Sequence, residues 1–149
     1  MPVRVQPEDF DVAREIERLC AGNARVGAVA CFVGLVRDLN DAAEVRKLTL
    51  EHYPGMTEKA LEAIVVEAKS RWKIGDALVV HRVGELAPGD RIVLVVVAGA
   101  HRGEAFAACE FIMDYLKTQA PFWKQEERGG TRHWVEAKAS DDDAAKRWR

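Results

Sequence analysis

Apolar side chains recur along this chain in two rhythms, and the switches between them mark out the elements. Between Asp9 and Cys20, Val12, Ile16, Leu19 and Cys20 fall at helical spacing with Arg14, Glu15, Glu17 and Arg18 opposite, which predicts a short amphipathic helix. Ala21-Gly22-Asn23 stops it. Val26 to Val36, VGAVACFVGLV, is rich in β-branched residues and predicts a mostly buried strand, bent or bulged at Gly34. The polar run Arg37 to Glu44 predicts a loop. From Lys47 to Tyr53 the period becomes two, with Leu48, Leu50 and His52 on one face, as a half-buried strand requires. Pro54-Gly55 is a turn, and Thr57 is placed to cap a helix whose Leu61, Ile64, Val65, Ala68 and Trp72 form one core face. Ala77–Val83 and Arg91–Ala98 predict two antiparallel strands joined across GELAPGD, where Pro88-Gly89-Asp90 is strong turn chemistry. Ala105, Cys109, Ile112, Met113 and Leu116 restore the helical step from Glu104 to about Lys117, and Pro121 ends it. The remainder predicts a polar loop through Gly129-Gly130, a short strand over His133–Ala137, and a last helix capped by Ser140 with Asp141, Asp142 and Asp143 at its positive end.

The order β, β, α, β, β, α, β with hairpin-like turns predicts an α+β fold, an antiparallel or mixed sheet with helices packed on one side. The 149 residues, with 48% hydrophobic and 31% charged, fit one domain spanning 1–149 and exclude a disordered or fibrous chain. Lys and Arg number 22 against 24 Asp and Glu, a net charge of -2, so the chain lacks the global positive field of a general nucleic-acid binder and any anion site must be local. Cys20, Cys31 and Cys109 are odd in number and form no C-x-x-C pair, which predicts three small buried hydrophobes rather than a disulfide framework or a zinc site. The opening MPVRVQPEDF has no apolar h-region, and no apolar stretch nears the roughly 20 residues that span a bilayer, so a reduced, cytoplasmic protein is expected.

Candidate chemistry gathers at three places. Gly99-Ala100-His101-Arg102-Gly103 lies between a strand and a helix start, where free N–H groups, the helix dipole and a guanidinium favour a bound anion. The bland alternative is a solvated turn, and the P-loop pattern is absent. Lys117 sits in a last helical turn, where a cation is modestly stabilising in any case. Lys124 follows Pro121, Phe122 and Trp123, a setting in which an ammonium pairs with anionic substrates or, if its pKa falls, turns nucleophile or base. Arg37 ends the first long strand, where a surface ion pair is the plain alternative. If the strand ends converge, Arg37, His101, Arg102, Lys117 and Lys124 build one cationic pocket selective for small anions. His52 and His81 fall within strand patterns and read as face or core residues, and His133 as loop surface. No metal-ligand cluster and no nucleophile elbow or Ser/His/Asp order is present, so neither a metal nor a bound cofactor is expected.

Taken together, LTLEHYPGMTEKALEAI (48–64), HRVGELAPGD (81–90), AHRGEAF (100–106) and FIMDYLKTQAPFWKQE (111–126) closely resemble the large, catalytic subunits of molybdopterin synthases, over about Val26 to Trp148. The resemblance implies an α/β-hammerhead fold and a homodimer of large subunits, with a small ubiquitin-like subunit at each end of a heterotetramer. It implies sulfurtransferase activity in molybdenum cofactor biosynthesis: two sulfurs, carried as a thiocarboxylate on the small subunit's C-terminal Gly-Gly tail, pass to cyclic pyranopterin monophosphate to form the molybdopterin dithiolene. By the same resemblance Lys117 and Lys124 are the catalytic lysines, and Arg37, His101 and Arg102 hold phosphate and pterin, the last two contributed by the neighbouring subunit. No firm role is carried to Arg128, Arg132 or His133, and Arg132 stays a candidate for closing over the substrate. A non-catalytic module that binds a ubiquitin-like Gly-Gly tail is the alternative, and an unrelated enzyme of phosphate ligands, active without a partner, is a third.

Overall fold

A computed structural model of the protein describes residues 2–40, 43–128, 130–135 and 139–149. Four strands form the first sheet, in the order β1 (Val3–Gln6), β6 (Ile74–Arg82), β8 (Arg91–Gly99), β2 (Ala28–Leu35). β1 runs parallel to β6 and the other neighbours are antiparallel. The second sheet, β10 (Thr131–Val135), β9 (Phe122–Arg128), β5 (Lys47–His52), β7 (Gly84–Leu86), is antiparallel throughout. This is the α+β class the alternating rhythms predict.

The two central strands of the first sheet are apolar without alternation because both of their faces are covered. Ala77, Val79, Val93, Val95 and Val97 face α2 (Met56–Arg71) and α3 (Arg102–Gln119), with Leu61, Ile64, Phe111 and Ile112 between. Leu78, Val80, Leu94 and Val96 face the other way, where Phe10 and the apolar side of α1 (Val12–Cys20) meet them. The main helical layer thus lies on one side, as expected, and the short α1 adds a second. Asp11 caps α1 by accepting from the Arg14 N–H at 3.1 Å. α4 (Ala139–Lys146) packs on α3, and the Trp148 indole behind it donates to Asp114 at 2.7 Å. No helix among the described residues is long and apolar enough to cross a membrane.

Several expectations need correction. β2 is an edge strand, not a buried one: β8 flanks it on one side, and Val29 (40%), Phe32 (40%) and Leu35 (53%) remain exposed in the single chain. The irregularity does fall at Gly34, where the register to β8 shifts. Cys109 is buried, and burial pushes its thiol up to about 12, but Cys20 is half-buried and Cys31 exposed on the same edge strand. Gly55, with φ 85°, takes the N-cap expected of Thr57, and the Glu58 carboxylate accepts its N–H at 3.1 Å. Thr57 is buried two residues on; its hydroxyl accepts from the Tyr53 N–H at 3.1 Å and donates to the Pro121 carbonyl at 3.2 Å. The segment expected as a loop over 37–44 holds a minimal hairpin, β3 (Leu39–Asn40) and β4 (Ala43–Glu44). The polar stretch after Pro121 is the strand β9, and β10 begins at Thr131, two residues before the expected strand. Gly129 and residues 136–138 lie outside the described residues, as do the side chains of Asn40 and His133.

Candidate active site

β2 leaves the first sheet at Leu35, the chain turns at Arg37, and α3 ends at Gln119 beside it. Where these ends meet β9, the structure holds a cavity of about 400 Å³. Phe32, Val33, Gly34, Ile92 and Val93 form an apolar wall. A Cβ on Gly34 would lie 2.8 Å from the Val93 Cγ1, so the glycine keeps that wall open. Arg37, Lys117 and Lys124 bring three cations to the same space. Pairing of β9 with β5 sets Phe122 opposite His52 and Lys124 opposite Leu50, so both project to the inner face while Trp123 between them stays exposed.

His81 on β6 completes the lining and was not foreseen as a site residue. It is 3% exposed and stacks on Phe122, with ring centroids 3.8 Å apart and planes within 18°. Its Nδ1 lies 2.8 Å from the Arg82 carbonyl oxygen, which can only accept, so the proton sits on Nδ1 and the lone pair on Nε2. Burial, against the pull of that hydrogen bond and helped by the charges of Lys124, Lys117 and His52, takes its pKa down to about 3. The imidazole is neutral at any ordinary pH. Nothing in HRV within an apolar strand signals this; its neighbour Phe122 arrives from forty residues downstream.

The single cationic pocket expected from five residues is divided within the chain. His101 is the N-cap of α3 and Arg102 its first residue, both exposed, whereas Lys117 lies in the last turns of the same helix. At about 1.5 Å per residue they are roughly 22 Å apart along the axis. β2 spans the same gap on the sheet: Ala28 pairs with Gly99 beside His101, and Leu35 ends next to Arg37. One chain therefore carries the two halves of the expected site at opposite ends of β2 and α3. His101 makes no side-chain cap, and the Glu104 carboxylate accepts the Lys73 N–H at 2.7 Å.

Three features thus stand together: a partly apolar cavity, three cations at its rim, and a buried neutral histidine. Such a site takes a small anion with an apolar or planar body and repels free cations.

Residues 5–119 match the family described as MoaE protein. A "Molybdopterin synthase catalytic subunit" of Ralstonia nicotianae is 60% identical over 146 residues, 98% of this chain and 83% of the relative. One of Escherichia coli is 56% identical over 144 residues, 97% and 95% of the two chains. Among solved structures, the "Molybdopterin biosynthesis MoaE protein" of Burkholderia ambifaria superposes with a TM-score of 0.85 at 55% identity, covering 98% of this chain and 96% of that one. The motifs that line the cavity, the arrangement of the two sheets and these matches agree, and the chain belongs to the MoaE family, that of the molybdopterin synthase catalytic subunits.

Proposed function

We propose that the protein is the catalytic subunit of a molybdopterin synthase, a sulfurtransferase that moves sulfur from the thiocarboxylated C-terminus of a small ubiquitin-like subunit to cyclic pyranopterin monophosphate. The observation that carries this is the cavity of about 400 Å³ in which Arg37, Lys117 and Lys124 converge. Substrate phosphate and donor thiocarboxylate are both anions, so bringing them together is opposed by Coulomb repulsion until cations offset it. Lys117 and Lys124 face the reacting carbons and stabilise negative charge as sulfur leaves the acyl carbon. Arg37 binds the phosphate as a fork of donors.

The working unit is a homodimer of this chain within a heterotetramer, and its geometry supplies the missing half of the site. Val29, Phe32 and Leu35 are exposed along the free edge of β2, Val29 on the face opposite to Phe32, and with Phe106 exposed on the adjacent α3 this apolar edge needs a cover. A two-fold axis across β2 reverses the strand, which carries the neighbour's His101 and Arg102 to the Arg37 end. There they join Arg37 on the phosphate and pterin. No cofactor is needed, since the sulfur arrives on the partner, and the reaction belongs in the cytoplasm.

Mixing the purified protein with its thiocarboxylated small subunit and the cyclic pyranopterin tests the proposal, with dithiolene product read by mass spectrometry. Product is expected from the wild-type protein, and Lys117→Ala should lose it while remaining a folded dimer. Turnover without the small subunit, or full yield from Lys117→Ala, would overturn the assignment. The tail-binding alternative predicts partner docking with no product.

A further inference from the structure

The side chains that bring polarity to the cavity are unequal in kind. Arg37, Lys117 and Lys124 can only donate hydrogen bonds. Among the described lining side chains, His81 is the one with a lone pair to offer. Its orientation is fixed twice over, by the Nδ1 hydrogen bond to the Arg82 carbonyl at 2.8 Å and by the stack on Phe122 at 3.8 Å. A stacked, hydrogen-bonded ring has little rotamer freedom left to lose on binding, which is what preorganised recognition requires.

A pterin is not only an anion carrier. Its ring presents several N–H donors, and a donor that leaves water without meeting an acceptor carries a desolvation cost. Cations hold the phosphate but oppose any N–H that points at them. We infer that His81 is a specificity-determining residue of this cavity, its Nε2 accepting a hydrogen bond from an N–H of the pterin ring while the cations hold the phosphate. The inference rests on the function proposed above and assigns a separate task within it. A protonated imidazole could not perform that task, and the burial that keeps the ring neutral, with Lys117, Lys124 and His52 as its charged or titratable neighbours, preserves the acceptor. Lys117 and Lys124 are not asked to do more than before.

Steady-state kinetics of the assembled synthase, with the pyranopterin varied and the thiocarboxylated subunit saturating, separates these roles. His81→Phe keeps the stacking surface and removes the lone pair; His81→Gln sets an amide oxygen near the place of Nε2. For His81→Phe the KM for the pterin should rise about tenfold, the upper range of one neutral hydrogen bond, with a smaller change in kcat. His81→Gln should recover most of that loss, and the affinity for the small subunit, measured by titration calorimetry, should not move in either. Thermal melts establish that the variants are folded, and His81→Leu replaces His81→Phe under the same criteria if the larger ring disrupts packing. A pterin KM within about twofold of wild type, a loss confined to kcat, or a glutamine variant no better than phenylalanine would overturn the inference while leaving the function intact. Absence of product from the wild-type synthase would instead remove the function, and this inference with it.

Discussion

Acid should destabilise this protein through one buried imidazole. His81 is 3% exposed, and its pKa is held at about 3 chiefly by burial, with the charges of Lys124, Lys117 and His52 adding to the effect. In the unfolded chain the same ring titrates near its ordinary value of about 6.5. Above that pH both states leave it neutral and the stability it permits is fully present. Between pH 6.5 and 3 the unfolded chain binds a proton that the folded chain refuses, so stability falls as pH falls, by about 1.4 kcal/mol per pH unit. Integrated from pH 7 to pH 5, the loss is about 2 kcal/mol. Every other ionisable group is common to a His81→Gln variant, so the difference between the two proteins isolates this ring. Urea unfolding of both proteins at pH 7 and pH 5, at one fixed protomer concentration because association shifts apparent stability, gives the quantity directly. Wild type is expected to lose about 2 kcal/mol more than His81→Gln over this interval. Equal losses would refute a neutral buried ring, and with it the assignment of the lone pair to Nε2.

Two further substitutions probe how the frame holds the site. Thr57→Val removes the buried hydroxyl that joins the Tyr53 N–H to the Pro121 carbonyl, and should cost roughly 1–3 kcal/mol of stability in urea unfolding, because it strips partners from two half-buried backbone groups. Pro121 leads into Phe122 and Lys124, so product formation should fall as well, and an unchanged midpoint would remove the structural role. Gly27→Ala sets a Cβ 2.3 Å from the Ala100 carbonyl oxygen, a clash with backbone that must displace the residue before His101. It should destabilise by about 1–3 kcal/mol and raise the pterin KM, and a variant with wild-type melting and kinetics would show that the His101 turn tolerates movement.

How much of this was legible in the chain depended on whether an element's neighbours leave a mark on its own sequence. α2 and α3 each bury one stripe, so Leu61, Ile64 and Ala68, or Cys109, Ile112 and Leu116, step at helical spacing and can be read directly. β5 buries Leu48 and Leu50 on one face and alternates. β9 leaves no such mark. FWKQEER reads as polar loop, because its strand state comes from pairing with β5 and β10, and its buried Glu126 is accommodated by Arg128 at 2.8 Å. β1 is four residues and is held by parallel pairing to β6, with each partner 76 residues away. β2 misleads in the opposite sense, since an apolar run looks the same in a covered central strand as in an edge strand that leaves Val29, Phe32 and Leu35 exposed. Lys117 and Lys124, close in sequence across a proline, group from spacing; Arg37 joins them where the register shifts at Gly34; His81 cannot be singled out, because its partner Phe122 is supplied by β9, a strand whose sequence predicts a loop.

The division of the site between the ends of α3 makes a stronger test of the proposed dimer than its mass would. Arg102 and Lys117 on one helix are roughly 22 Å apart, too far to meet over one small substrate. If the neighbour supplies Arg102, Lys117→Ala and Arg102→Ala damage different subunits of each site. In a heterodimer of the two variants one site then carries both lesions and the other neither. Random exchange of equal amounts yields heterodimers for about half of the dimers, each with one intact site, so about one quarter of wild-type activity should return on mixing two inactive preparations. A site completed within one chain has no such route: every lysine-deficient or arginine-deficient cavity stays so whatever its neighbour, and mixing restores nothing. Recovery after exchange, measured as dithiolene product against unmixed controls, therefore decides between the two, and its absence with exchange verified by mass would return His101 and Arg102 to a solvated helix start.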